Sequence, residues 1–382
     1  MHNYGMNDIN QYALDLHKKF KGKITTSLRD TPTKETLSAY YTPGVGGVSA
    51  YVAKHPQEMR DYTWTNNLVA VISDGSAVLG LGDIGPRGSM PVMEGKAMLF
   101  KHFANIDAVP IILDVHTPEE IIATVKAIAP SFGAINLEDI AAPKCFEVEA
   151  ALKEALDIPI MHDDQHGTAV IVLAGLINAL KVTHKSLTEL KIVIAGAGAA
   201  GVAIANLLWK YGAKNILMID RQGVISPQRT NLTEVKQALL AYNTTGAEGT
   251  LQEALKDANV FIGVSKANLL QAKDIASMAK DSIVFALSNP IPEIMPDVAQ
   301  KAGAKVVATG RSDFANQINN ALAFPGIFRG ALDNGVTKIT VEHKIKAAEA
   351  IASLVANPTP EEIIPSVFNP ALVPTIAKTI QP

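Results

Sequence analysis

A single cysteine, Cys145, occurs in the 382 residues. One thiol forms no internal disulfide and no thiolate metal cage, so the sequence reads as a reduced, cytoplasmic chain with an inert thiol. Charge of one sign is also scarce. Lysine and arginine number 34 against 37 aspartate and glutamate, a net charge of −3. No basic excess is available to hold phosphate polymers, so no nucleic-acid partner is expected. The longest apolar run, "TAVIVLAGLINAL" at 168–180, is too short to span a bilayer and is interrupted by Asn178. It reads as a buried helix. The first residues, "MHNYGMNDINQYALDLHKKFKG", lack a basic stretch followed by an apolar block, so no secretory signal is expected. A membrane partner is not expected either. Internal repeats, low-complexity tracts and a flexible linker are missing as well.

What the chain does have is apolar residues, at 48% of positions. That allows a large core and argues against disorder. At roughly 150 residues per domain, the length allows two or three domains. Short apolar runs at 67–74, 108–114, 133–139 and 158–164 read as strands covered on both faces. Helical patterns, such as those at 89–103 and 117–129, lie between them. This βαβ rhythm predicts an α/β fold with a mostly parallel sheet. It restarts after Lys185, with a strand entering a glycine turn at 190–201 and further strands at 213–220, 259–265, 282–290 and 305–310. From Val336 the pattern is mainly helical. The expected organisation is an α/β substrate and metal domain at 1–165, then a Rossmann-type nucleotide domain with a helical tail at 166–382. A helix expected at 167–180 would bridge them.

The glycine turn "GAGAAG" places Gly196, Gly198 and Gly201 in G-x-G-x-x-G spacing. Alone that pattern is weak. Here a strand precedes it, a helix follows, and Asp220 ends the next strand roughly 20 positions on, which is the context the fingerprint requires. Gly196 permits the tight turn, Gly198 a close approach to pyrophosphate, and Gly201 close helix–strand packing. Ala199 and Ala200 open the helix whose free N–H groups face the phosphates. Asp220 is expected to accept the ribose 2′-hydroxyl and to repel a 2′-phosphate, which favours NAD over NADP. Arg221, beside it, is the residue that would tolerate a phosphate.

In open parallel sheets, ligands bind beyond the carboxyl ends of the strands. The polar residues expected there are the loop 73–88, Glu138 with Asp139, and Asp163, Asp164 and His166. The second half adds Gly198 and Asn289. Carboxylates without thiolates favour a hard cation, Mg²⁺ or Mn²⁺. Zinc would use histidine or cysteine. With a helix starting at Gly167, however, His162 and His166 both precede it and share no face. Glu138 and Asp139 raise a difficulty of their own, because strand neighbours point to opposite faces. Both reach one metal only if the strand ends there and the chain turns. Lys96 sits among apolar residues of a helical pattern, where burial would let it lose its proton near neutral pH.

These stretches, taken in order, resemble the malic enzymes, specifically the short bacterial type. "YYTPGV" (40–45) matches the family's tyrosine motif and "VLGLGDIGP" (78–86) its glycine loop. "EGKAMLF" (94–100) matches its lysine motif, and "NLEDI" (136–140) and "HDDQHGTA" (162–169) its metal motifs. "SNPIPE" (288–293) and "NQINNALAFPGIFRGAL" (316–332) match its substrate-asparagine segments. The similarity spans nearly the whole chain. It implies oxidative decarboxylation of L-malate to pyruvate and CO₂, with NAD as oxidant and Mn²⁺ or Mg²⁺ bound. The implied metal ligands are Glu138, Asp139 and Asp164. Lys96 is the implied general base and Tyr41 the general acid, with Asp163 orienting or deprotonating the base. A tyrosine titrates near pH 10, so it serves as an acid only when coupled to a neighbour such as Lys96.

Cofactor contacts extend by the same resemblance to Thr168, Ser265 and Asn289, and substrate contacts to Asn289, Asn319 and Asn320. Larger family members carry a carboxylate-binding arginine where Ala77 stands here. Asn289 and Asn320 are the expected replacements, with Arg87 a further candidate. The family's usual homodimer is expected, with the N-terminal helix and "YYTPGV" as contacts. An oxaloacetate decarboxylase on the same scaffold is the alternative, since that step uses only Lys96, Tyr41 and the carboxylates.

Overall fold

The computed structural model describes residues 6–20, 23–78 and 80–382. The first sheet contains β1 (Leu68–Ser73), β2 (Asp107–Ile112), β3 (Ala134–Leu137) and β4 (Ile160–His162), in the order β2-β1-β3-β4. Every pairing in it is parallel. All residues of β1, β3 and β4 are buried, which is why these strands read as unbroken apolar runs rather than alternations. The second sheet contains β5 (Lys191–Ala195), β6 (Asn215–Asp220), β7 (Gly223–Val224), β8 (Val260–Gly263), β9 (Ser282–Ala286) and β10 (Ala304–Thr309). Its order is β10-β9-β8-β5-β6-β7, parallel except for the short β7. The α/β class and the Rossmann-like second sheet are those the sequence rhythm predicts.

Local signals account for the helix ends. Helix Gly85–Ala104 carries Pro86 in its first turn and stops at Asn105, whose φ of 49° is left-handed. Helix Pro118–Ile128 starts at a capping box between Thr117 and Glu120. Helix Asp163–Thr183 leaves β4 with no loop, and it corrects the expected start at Gly167. Apolar periodicity does begin at Gly167. The first turn, however, accepts Asp163 and Asp164, because free N–H groups and the helix dipole favour anions there. His166 therefore lies inside the helix and only His162 precedes it. By length and composition this helix could cross a bilayer. In the fold it packs against helices Ala199–Tyr211 and Val341–Ser353, and most of it is buried.

The tail returns to the first sheet. Phe324 and Phe328, from helix Phe324–Asp333, meet Phe100 edge-on, with ring centroids 4.7 and 5.3 Å away. Arg329 Nη1 donates to Asn67 Oδ1 at 2.6 Å. One apolar core consequently joins residues of both sheets and the tail. Residues 23–64 behave differently, since none of them is buried. This arm includes helices Lys34–Tyr40 and Gly44–Lys54 and exposes Tyr40, Tyr41, Tyr51, Tyr62 and Trp64.

Candidate active site

The site is built where β3 ends. Glu138 follows the strand and its N–H still bonds to the Ile72 carbonyl at 2.8 Å. Asp139 then adopts φ 53°, a left-handed conformation that aspartate tolerates better than most residues. This turn resolves the neighbour problem, because strand alternation stops and both carboxylates reach one side. Asp164, in the first turn of the helix after β4, accepts the Asp139 N–H on Oδ2 at 2.8 Å. One carboxylate oxygen from each of Glu138, Asp139 and Asp164 lies within 4.8 Å of the others.

Lys96 projects from helix Gly85–Ala104 into this cluster. Its Nζ lies 2.7 Å from Asp163 Oδ2, 2.8 Å from Glu138 Oε1 and 4.4 Å from the Phe324 ring centroid. Burial alone would lower the Lys96 pKa. Asp163 and Glu138 outweigh it and hold the ammonium above its ordinary value. This corrects the expectation of a neutral lysine near pH 7: its apolar helical neighbours are only part of its surroundings. Glu138 is raised well above the usual carboxylate value by burial, with Asp164, Asp163 and Asp139 adding repulsion against the pull of Lys96. Asp163 is raised by burial as well, with Lys96 opposing. A Cβ on Gly167 would stand 1.9 Å from Asp163 Oδ1, so only glycine leaves Asp163 its place over the first turn.

Crowded, partly neutralised oxygen donors with no sulfur fit a hard divalent cation. The histidines do not join them. His162 Nε2 lies 3.2 Å from Asp164 Oδ2, while His166 Nε2 lies 2.8 Å from Glu149 Oε2.

Above the carboxylates is a cavity of about 380 Å³. Asp139 and Asp164 line it together with Thr168, Ala200, Ser265, Asn289, Asn319 and Asn320, so the two halves of the chain meet there. Asn319 uses its side-chain oxygen to cap the following turn, accepting the Ala321 N–H at 2.9 Å. Arg87 does not line this cavity. Neither does Tyr41, which is 71% exposed on the arm.

Val264 and Ser265 also line a larger cavity of about 1110 Å³, at the glycine turn. Gly196 has φ 122°, and a Cβ on Gly201 would stand 1.8 Å from the Gly196 carbonyl oxygen. Gly198 faces open space, as a phosphate approach requires. Asp220 lines this cavity, but it is not the free acceptor expected for a ribose hydroxyl. Both its oxygens accept from Arg229 and Lys236.

Several supporting residues gave no signal in the sequence. Asn136 Nδ2 donates to Glu138 Oε2 at 2.8 Å. Buried Glu149 accepts the His162 N–H at 3.1 Å, and Lys344 Nζ lies 3.0 Å from His166 Nδ1. Burial pushes Lys344 down to about 7 and His166 down to about 4. Glu293 accepts the Ser265 N–H at 3.1 Å and the Ser288 N–H at 3.0 Å, tying two cleft loops together. No spacing rule links these residues to their partners, because they meet only through the tertiary fold.

A glycine-turn nucleotide cavity opening onto a carboxylate-and-lysine cleft defines an α/β oxidoreductase with a Rossmann-type domain. Comparison with known proteins narrows that class. The profile described as "Malic enzyme, NAD binding domain" matches residues 165–375, and "Malic enzyme, N-terminal domain" matches 17–120. The chain is 52% identical to the NAD-dependent malic enzyme of Geobacillus stearothermophilus, over 94% of its own length and 76% of that protein's. It is 49% identical to the bifunctional malic/malolactic enzyme of Bacillus subtilis, over 97% and 92% of the two lengths. The crystal structure of an NAD-dependent malic enzyme from Thermotoga maritima superposes with a TM-score of 0.94 at 48% identity, covering 97% of this chain and 98% of that one. The chain belongs to the malic enzyme family.

Proposed function

We propose that this chain oxidatively decarboxylates L-malate to pyruvate and CO₂ with NAD as oxidant, holding Mn²⁺ or Mg²⁺ on Glu138, Asp139 and Asp164. The observation that carries the reading is the contact of Lys96 with Asp163 and Glu138, next in the chain to Asp164 and Asp139, which line a cleft that shares Val264 and Ser265 with the nucleotide cavity. The reading divides the chain at residue 165 into substrate and nucleotide domains. It places the protein in the cytoplasm, where the lone buried thiol of Cys145 stays reduced.

Lys96 takes the proton of the C2 hydroxyl as the free amine, after passing its own proton to Asp163, whose carboxyl burial pushes up. Its two carboxylate partners favour the ammonium, so one of them must loosen. Glu138 would be that partner: as a ligand of the cation it would hold Lys96 less firmly, and the proton affinity of Lys96 would fall. Asp163 keeps Nζ aimed. Asn289 and Asn320 offer amide donors to the substrate carboxylates. Bound at the glycine turn, NAD would supply a hydride acceptor, and a divalent cation held by Glu138, Asp139 and Asp164 would supply Lewis acidity. Tyr41 returns a proton to C3.

Tyr41 is exposed on the arm and does not line the cleft of its own chain. The apolar side chains displayed on residues 23–64 form a surface of the kind that marks an interface. We read the chain as a homodimer in which the arm of one protomer carries Tyr41 to the cleft of its partner. Nothing in the geometry favours the redox-free oxaloacetate decarboxylase, since the nucleotide cavity is fully formed beside the carboxylates.

The test mixes the full chain with L-malate, NAD⁺ and Mn²⁺ and follows NADH absorbance and pyruvate. Equal amounts of both, abolished by EDTA, are expected. NADH without pyruvate would overturn the decarboxylation, and no NADH would overturn the reading altogether.

A further inference from the structure

Glu149 is a buried carboxylate on helix Lys144–Ala155, set against the end of β4. Its Oε1 accepts the His162 N–H at 3.1 Å and lies 2.5 Å from Lys153 Nζ. Its Oε2 lies 2.8 Å from His166 Nε2 and 3.4 Å from Gln165 Nε2. A carboxylate offers about four acceptor positions, and these donors fill them. All but Lys153 come from residues 162–166, the stretch that also carries Asp163 and Asp164.

The backbone gives this arrangement its purpose. β4 lies at the edge of its sheet, and the last N–H of the strand finds Glu149 in place of a further strand. The helix then starts with no loop, and residues of its first turn follow one another by about 100°. Gln165 and His166 are held on the Glu149 side. Asp163 and Asp164 are thereby left to face Lys96 Nζ and the Asp139 N–H, at 2.7 and 2.8 Å. Lys344 adds a second anchor from the tail. It is buried on helix Val341–Ser353, with Nζ 3.0 Å from His166 Nδ1. An imidazole with its proton on Nε2 satisfies both neighbours, donating to Glu149 and accepting from Lys344.

We propose that Glu149 is a positioning residue for the metal site: it pins the strand-to-helix turn 162–166, so that Asp164 stays beside Glu138 and Asp139 and Asp163 stays on Lys96. The proposal rests on the reading of Glu138, Asp139 and Asp164 as ligands of a divalent cation. Glu149 itself touches neither cation nor substrate and acts only through the turn.

The test is titration of the full chain with Mn²⁺, with the free ion followed by electron paramagnetic resonance and no malate present. In Glu149→Gln, whichever oxygen becomes an amide sets two hydrogens against two of the donors it formerly accepted. Mn²⁺ affinity is expected to fall about tenfold or more, the scale on which residues supporting a ligand act. NAD affinity, read by calorimetry, should hold, because Glu149 does not line the nucleotide cavity. Glu149→Gln also strands the buried Lys344 ammonium, which costs stability by itself. The double variant Glu149→Gln with Lys344→Met removes both charges. It is expected to regain urea resistance and to keep the weakened Mn²⁺ affinity. Wild-type Mn²⁺ affinity in either variant would overturn the proposal. So would a double variant in which stability and affinity return together, since the loss would then be one of folding alone. A wild type that binds no Mn²⁺ would instead sink the three acids as ligands, before any variant is compared.

Discussion

Lys96 and Asp163 meet inside the protein, Nζ to Oδ2 at 2.7 Å, with side-chain exposures of 7% and 0%. Asp163 Oδ1 has no hydrogen-bond partner among the described residues, so the carboxylate leans chiefly on this ammonium. Glu138 shares the same cation at 2.8 Å. Removing the lysine would therefore leave two buried acids without a counter-charge, and that is costly whatever the chemistry.

Lys96→Met is expected to destabilise the fold by about 3–5 kcal/mol in urea denaturation. Turnover of malate should fall by at least about 10². Adding Asp163→Asn should recover part of the stability and none of the activity, because the pair then lacks both the stranded charge and the base. Near-normal turnover in Lys96→Met would remove Lys96 from the role of base.

Gly167→Ala tests the seat of Asp163. The new methyl would overlap Asp163 Oδ1, at 1.9 Å from the ideal Cβ, so the carboxylate must swing away from Lys96. The expected result is a fall in kcat of about tenfold or more, the scale on which small misplacements act. The KM for NAD should change less than twofold, because the nucleotide cavity is not lined by Gly167 or Asp163. Gly167→Ala with unchanged kcat would mean that the position of Asp163 does not matter to the reaction.

Much of this architecture was legible in the sequence, because buried parallel strands read as apolar runs and β1, β3 and β5 begin within a residue or two of them. The glycine turn was legible because each glycine answers a local steric demand. The start of helix Asp163–Thr183 was not, since two acids at a helix N-terminus look like a loop when only apolar period is counted. The protonation of Lys96 was misread for a related reason. Burial is visible in the apolar neighbours along one helix, whereas Glu138 and Asp163 arrive from β3 and from the helix after β4. The Arg229 and Lys236 clamp on Asp220 was likewise hidden, because both residues lie beyond β7 and return only through the fold.

The carboxylate cluster predicts stabilisation by metal. A cation that binds only the folded state adds about 2.7 kcal/mol at one hundred times its Kd. Scanning calorimetry should show Tm rising with Mn²⁺ and returning after EDTA. Asp164→Asn should abolish the rise, and Asp139→Asn should weaken it. A Tm indifferent to Mn²⁺ and Mg²⁺ in the wild type would end the assignment of these three acids as ligands.

The exposure of Tyr41 is settled by mixing two inactive variants. Tyr41→Phe and Lys96→Met should each be nearly inactive as homodimers. In a heterodimer with Tyr41 supplied across the interface, both lesions fall in one site, and the other site receives Tyr41 and Lys96 intact. Unfolding and refolding a mixture should then restore about a quarter of wild-type turnover, since half the dimers are mixed and half their sites are whole. If Tyr41 serves its own chain, every site in the mixture carries a lesion and nothing is recovered. Sedimentation of the wild type as a monomer would reject the arm as an interface before the mixing is done.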